Sequence, residues 1–104
     1  MSELTHTEEK LWIEIDGNIA TIGIEKEKAD ELGTVSSIEL PDVGKEVNKG
    51  DEVVTIETAK SVEKIKSPLS GKIVDVNETL KDNPEKLTED PTGEGYLFKI
   101  TTKS

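Results

Sequence analysis

The most constraining feature of this chain is the regularity with which its apolar alternation is broken. Short runs of alternating apolar and polar residues are separated by Gly, Pro, Asn and Asp, a spacing that suits an all-β sandwich and neither a helical bundle nor a parallel sheet. Leu11, Ile13 and Ile15 alternate with Trp12 and Glu14. Asp16-Gly17 then turns the chain, and Ile19, Thr21 and Gly23 return, which predicts a hairpin. Thr34 to Leu40 reads as a strand ended by Pro41, which has no amide hydrogen to continue a ladder. Further strands are expected over Val53 to Glu57, Val62 to Lys66, Lys72 to Val76 and Tyr96 to Thr101. One short helix interrupts the pattern, from Glu25 to Leu32, with Ala29 and Leu32 on one face and Gly33 at its C-cap.

The remaining segments are less regular. Residues 1–9 are polar and read as a flexible N-terminus, so ordered chain is expected from residue 10. Asp82 to Asp90 reads as a loop with one helical turn, and Gly44, Gly50, Gly71, Gly93 and Gly95 as turn residues at positive φ. Trp12, beside Leu11 and Ile13, is expected to anchor the core. Pro41-x-x-Gly44-Lys45-x-Val47 recurs 27 residues later as Pro68-x-x-Gly71-Lys72-x-Val74, a short internal repeat that suits a sandwich of two similar halves.

Composition removes several kinds of chemistry. Cysteine is absent, so any redox sulfur must be imported, and the single histidine, His6, lies in the N-terminal segment, away from any triad or metal site. No catalytic or metal-binding residue is assigned. A net charge of −10 repels nucleic acid and anionic membrane surfaces. No stretch has the basic and apolar regions of a signal peptide or the length of a membrane span, which points to a cytoplasmic protein.

One lysine stands apart. Val54 and Ile56 on one side, and Val62 and Ile65 on the other, read as two strands meeting in a tight turn at Ala59-Lys60, which puts the Lys60 ammonium in water where another molecule can reach it. Lysines are nearly always exposed, so exposure alone would not single it out.

The frame on either side does. Leu40-Pro41-Asp42-Val43-Gly44 leads in. Glu57-Thr58-Ala59-Lys60-Ser61 follows, then Ser67-Pro68-Leu69-Ser70-Gly71-Lys72-Ile73-Val74-Asp75-Val76-Asn77, and the tail ends in Gly95-Tyr96-Leu97-Phe98-Lys99-Ile100. In this order and spacing they resemble lipoyl and biotinyl carrier domains, and most closely the H proteins of glycine cleavage systems. The resemblance implies a flattened β-sandwich of the lipoyl type over residues 10–104, with lipoate in amide linkage on Lys60. Glu57, Ala59 and Ser61 would be read by the modifying enzyme. Biotinyl domains place Met on both sides of their lysine, whereas this chain has Ala59 and Ser61.

The implied protein is a non-catalytic carrier. It would be modified by a lipoate–protein ligase or lipoyltransferase and served by dihydrolipoamide dehydrogenase. It would pass an aminomethyl group from a pyridoxal-phosphate glycine decarboxylase to an aminomethyltransferase. Two positions depart from the family. Where its members usually carry a cleft glutamate and a cleft aspartate that hold the loaded arm, this chain has Leu11 and Lys64. Members also usually continue into a C-terminal helix beyond the position of Ser104. These departures keep a second reading open behind the first, a compact H-like protein acting in lipoyl relay, in sulfur oxidation, or as a lipoylated target of macrodomain and sirtuin ADP-ribosylation enzymes.

Overall fold

The structure, a computed structural model, describes residues 2–6, 10–93 and 95–101. Among these described residues, nine strands form two antiparallel sheets. They are β1 (Ser2–His6), β2 (Leu11–Asp16), β3 (Ile19–Ile24), β4 (Val35–Glu39), β5 (Glu46–Val47), β6 (Glu52–Thr58), β7 (Val62–Lys66), β8 (Gly71–Val76) and β9 (Phe98–Thr101). The larger sheet runs β1-β2-β3-β9-β8-β5 and the smaller β4-β6-β7. Period-2 alternation turns apolar rows from both sheets inward. Ile22, Ile24, Ile73, Phe98 and Ile100 of the large sheet join Ile38, Val54, Ile56 and Ile65 of the small one in a single buried cluster.

Among the described residues three helices flank the sandwich: α1 (Lys26–Leu32), α2 (Thr79–Asp82) and α3 (Lys86–Glu89). Helix α1 buries Ala29 and Leu32 and ends at Gly33, whose φ of 68° is easy only for glycine and whose N–H bonds back to the Ala29 carbonyl. The expected loop with one helical turn is instead two four-residue helices, the first beginning before Asp82. Leu80 and Leu87 are fully buried and hold these turns against the sandwich. Pro84 separates the turns because it disfavours helical backbone at Asn83, which sits at φ −131°, ψ 75°.

Other differences from the sequence reading have equally local causes. Residues 2–6, read as part of a flexible terminus, pair along β2 in the register Ser2↔Asp16 to His6↔Trp12. An edge strand needs only the free backbone groups of its neighbour, and no apolar alternation announces it. Residues 1 and 7–9 lie outside the described residues. Strand β5 has two residues, too few to show alternation. Gly44 and Gly50 do have positive φ, but Gly71 and Gly95 serve close approach instead: a Cβ at Gly71 would collide with the Thr101 carbonyl.

Trp12 is buried, yet it lies outside the cluster that holds Leu11 and Ile13, its neighbours on the opposite face of β2. Its ring covers Gly23, its partner across the β2–β3 register, where a Cβ would come within 2.5 Å of the indole. Its Nε1–H donates to the Pro91 carbonyl at 2.9 Å. It therefore pins the segment after α3 onto the outside of the large sheet, rather than anchoring the interior.

The arrangement that positions the site is a long ladder. Strands β6 and β7 pair from Glu57↔Val62 outward to Glu52↔Lys66, and β5 and β8 continue the same sense of pairing with Glu46↔Lys72 and Val47↔Gly71. Between them, the Gly50 N–H donates to the Ser67 carbonyl and the Ser67 N–H to the Asp51 carbonyl, both at 2.8 Å. Residues 44–73 thus form one extended hairpin that begins in the large sheet, bends into the small one and ends at Lys60. The two copies of the internal repeat face each other across its root: the Gly44 N–H donates to the Ile73 carbonyl and the Ile73 N–H to the Lys45 carbonyl.

Candidate functional site

At the tip of the ladder the turn is knitted by one side chain. Thr58, the last residue of β6, donates its backbone N–H to the Ser61 carbonyl at 2.9 Å. Its hydroxyl donates to the same carbonyl at 3.1 Å and accepts the N–H groups of Lys60 and Ser61 at 3.2 and 3.0 Å. A hydroxyl has one donor and two acceptor sites, so Thr58 Oγ1 is fully used. It is 8% exposed, while Ala59, Lys60 and Ser61 all stand in solvent. The lysine is held by a fixed backbone, with small residues on both sides.

A cleft of about 170 Å³ opens beside it. Thr58, Lys60, Ser61 and Glu63 form the hairpin wall, and Lys28, Glu31 and Leu32 of α1 the opposite wall. The walls are tied together by Lys28 Nζ and Glu63 Oε1 at 2.8 Å, with side chains 19% and 38% exposed. Glu31 is held from behind by Lys10 Nζ at 2.6 Å, and the same ammonium reaches Glu27 at 3.2 Å. The bond to Lys10 lowers the Glu31 pKa, and the bonds to Glu31 and Glu27 raise that of Lys10. Lys10 itself takes φ 65°, uncommon for a residue with a Cβ, and its carbonyl accepts the Glu25 N–H just before α1. One residue therefore orients the helix that makes the cleft wall.

The structure separates the residues that the sequence reading grouped here. Lys60, Ala59 and Ser61 share the turn, and Glu57 lies on the outer face of β6, where it accepts a bond from Ser37 Oγ at 3.3 Å. Leu11 is 1% exposed and packs in the core. Lys64 stands on the outward face of β7, because side chains alternate along a strand and Glu63 and Ile65 face inward. It approaches Glu52 at 3.7 Å and is not among the residues that line the cleft.

Thr58 was missed, although a threonine directly before a three-residue turn is the signal that such hydroxyls give. The Lys28–Glu63 pair, 35 positions apart, leaves no mark in the sequence.

Residues 4–104 match the family model described as glycine cleavage H-protein. This chain belongs to the glycine cleavage H-protein family. It is 46% identical over 100 residues to the glycine cleavage system H protein of Thermotoga maritima, covering 96% of this chain and 79% of that one. The probable glycine cleavage system H protein of Aeropyrum pernix is 45% identical over 98 residues, covering 94% and 68%. The crystal structure of a glycine cleavage system H protein from Mycobacterium marinum superposes with a TM-score of 0.90 at 30% identity, covering 97% of this chain and 84% of that one. H proteins carry lipoate covalently on a lysine, and the sheets and short helices seen here are those of the lipoyl-domain fold.

Proposed function

We propose that the two sheets, with β1 as the edge strand of the larger, form one carrier domain and that Lys60 is its lipoyl attachment site, loaded with the aminomethyl group of glycine by a pyridoxal-phosphate decarboxylase and unloaded by an aminomethyltransferase. The observation that carries this reading is the turn itself: an exposed primary amine at the apex of a ladder rooted in both sheets, its backbone fixed by Thr58. Lys60 receives the lipoyl group when its neutral amine attacks an activated acyl carbonyl, either an acyl adenylate or a thioester. The C–N bond forms, the leaving group departs with its electron pair, and the amine proton passes to the modifying enzyme. The bound dithiolane supplies reversible disulfide chemistry that a chain without cysteine lacks. Ala59 and Ser61 leave room for the modifying enzyme, and Glu57 offers it a carboxylate on the outer face. The cleft carboxylates Glu31 and Glu63 give the arm a polar resting place.

The carrier breaks no bond itself; decarboxylase, aminomethyltransferase and dihydrolipoamide dehydrogenase act on its arm, at an effective concentration set by the tether. The similarity to glycine cleavage system H proteins such as that of Thermotoga maritima favours this role over lipoyl relay, sulfur oxidation or ADP-ribosylation signalling. Co-expression with a lipoate–protein ligase, followed by intact-mass measurement, should show one lipoyl group on the wild type and none on Lys60→Arg. Lipoylated protein should then support glycine decarboxylation with the other purified cleavage enzymes. Lipoate on the arginine variant would overturn the site, and inactivity of the correctly lipoylated protein would overturn the glycine role.

A further inference from the structure

The charged residues that line the cleft are Lys28, Glu31, Lys60 and Glu63, two cations against two carboxylates. From outside the cleft, Lys10 holds Glu31, and the charge that it adds is offset by Glu27, its other partner. This balance lasts only while Lys60 is an ammonium. Acylation turns it into a neutral amide and leaves the lining one cation short, in a recess between α1 and the hairpin where charges are screened less than on open surface. A dithiolane, oxidised or reduced, carries no positive charge and cannot make up the deficit. An arm that ends in an ammonium can.

Of the two carboxylates, Glu63 is the one placed to receive it. It follows Lys60 on the inward row of β7, one position before Lys64, so strand parity turns it into the cleft that Lys64 faces away from. Its Oε1 takes Lys28 Nζ at 2.8 Å, and its second oxygen has no other partner among the described residues. An ionised carboxylate has about four acceptor positions, so Glu63 can keep Lys28 and accept a second ammonium. Glu31 is already drawn toward Lys10 at 2.6 Å.

We propose that Glu63 takes the terminal ammonium of the loaded arm, at a charge deficit that acylation of Lys60 itself creates. The inference deepens the carrier reading and rests on Lys60 being the acylated residue. The cleft then tells the states of the arm apart by charge alone: an uncharged arm has no ion pair to hold it and is free to enter a partner's active site, whereas an arm bearing an ammonium is drawn back beside the hairpin.

The test replaces the labile cargo with a stable one. Wild type, Glu63→Gln, Glu31→Gln and Glu52→Gln are lipoylated with a purified lipoate–protein ligase, checked by intact mass and reduced. Because the chain has no cysteine, the only thiols are those of the arm. One is alkylated with carbon-13-labelled 2-bromoethylamine or, as the uncharged control, with bromoethane; in each case the thiolate forms the S–C bond and bromide departs with its electron pair. The titration of the arm's ammonium is then followed by NMR. On the wild type it should lose its proton about half a pH unit or more above its value on Glu63→Gln, and the difference should shrink at high salt. Glu52→Gln removes an equal charge on the outward face and should titrate with the wild type. Glu31→Gln cancels the deficit while leaving Glu63 in place and should fall between. The aminoethyl arm should also raise Tm above that of the ethyl arm in the wild type and not in Glu63→Gln. Equal titration on the wild type and Glu63→Gln would overturn the assignment of Glu63, and equal titration on the wild type and Glu31→Gln would overturn the charge deficit, with Lys60 still acylated in both cases. Failure of the wild type to accept lipoate at all would instead strike at the attachment site.

Discussion

Replacing Thr58 by valine tests whether one hydroxyl fixes the lysine turn. Valine has the same branched outline and suits the end of a strand, so the change removes hydrogen bonds with little change in shape. Three bonds go: those accepted from the Lys60 and Ser61 amides and the one donated to the Ser61 carbonyl, while the Thr58 N–H bond to that carbonyl remains. Each is worth about 0.5–1.5 kcal/mol net, and water can reach the amides of exposed residues, so the total should lie near the low end, about 1–2 kcal/mol. For a chain of this size that lowers Tm by roughly 4–10 °C. If the modifying enzyme requires the knitted turn, the same free energy reduces kcat/KM for lipoylation by a factor of about 5–30. Thr58→Ser keeps the hydroxyl and should recover most of both effects. The assay is a thermal melt beside initial lipoylation rates for the three proteins. A valine variant that melts within about 1 °C of wild type and is acylated at the wild-type rate would refute the hydroxyl's role. A destabilised variant acylated normally would show that the enzyme does not read the turn's geometry.

Trp12→Ala should cost about 3–5 kcal/mol, and Gly23→Ala should destabilise as well by displacing the indole; chemical denaturation measures both, and a neutral Gly23→Ala would refute the close packing. Tyr96 donates to Asp75 Oδ2 at 2.8 Å, and burial followed by that bond pushes its pKa up to about 12 from the ordinary 10. The folded state therefore holds the proton more tightly, so this contribution to stability is complete below pH 10 and is lost as pH rises toward 12. Denaturation midpoints should fall across that window in the wild type and fall less in Tyr96→Phe. Lys28→Met and Glu63→Gln, combined in a double-mutant cycle, should give a coupling of about 0.5–1.5 kcal/mol, between exposed and buried ion pairs; a coupling of zero would mean the two cleft walls are not held together by this bond.

Most of the strands could be read from the chain because each needs only local alternation bounded by turn residues, and the Asp16-Gly17 hairpin and the turn at Lys60 belong to that class. Trp12 could be read as buried but not as facing away from Leu11 and Ile13, since alternation predicts opposite faces without saying which one a distant segment covers. Pro91 covers it from 79 positions away. The cleft was the least legible part. Lys64 was placed there by analogy with a family position, whereas strand parity sends it outward and brings in Glu63. Lys28 and Glu31 enter through the docking of α1, a tertiary event with no local sequence code.

The nested pairing of residues 44–73 also bears on how the chain becomes ordered. Pairing that starts at Thr58 and Ser61 encloses only two residues, and each further rung adds a short increment of chain whose closure entropy is small. By contrast, the β3–β9 rungs, such as Ile19↔Thr101, join segments from nearly opposite ends of the protein and must close most of the chain at once. The lysine turn therefore belongs, like the β2–β3 hairpin, to a part of the molecule with low sequence separation between contacts, the kind of topology associated with fast formation. A carrier built this way can zip up its presenting device from the tip, with the long-range strands arriving afterwards to support it.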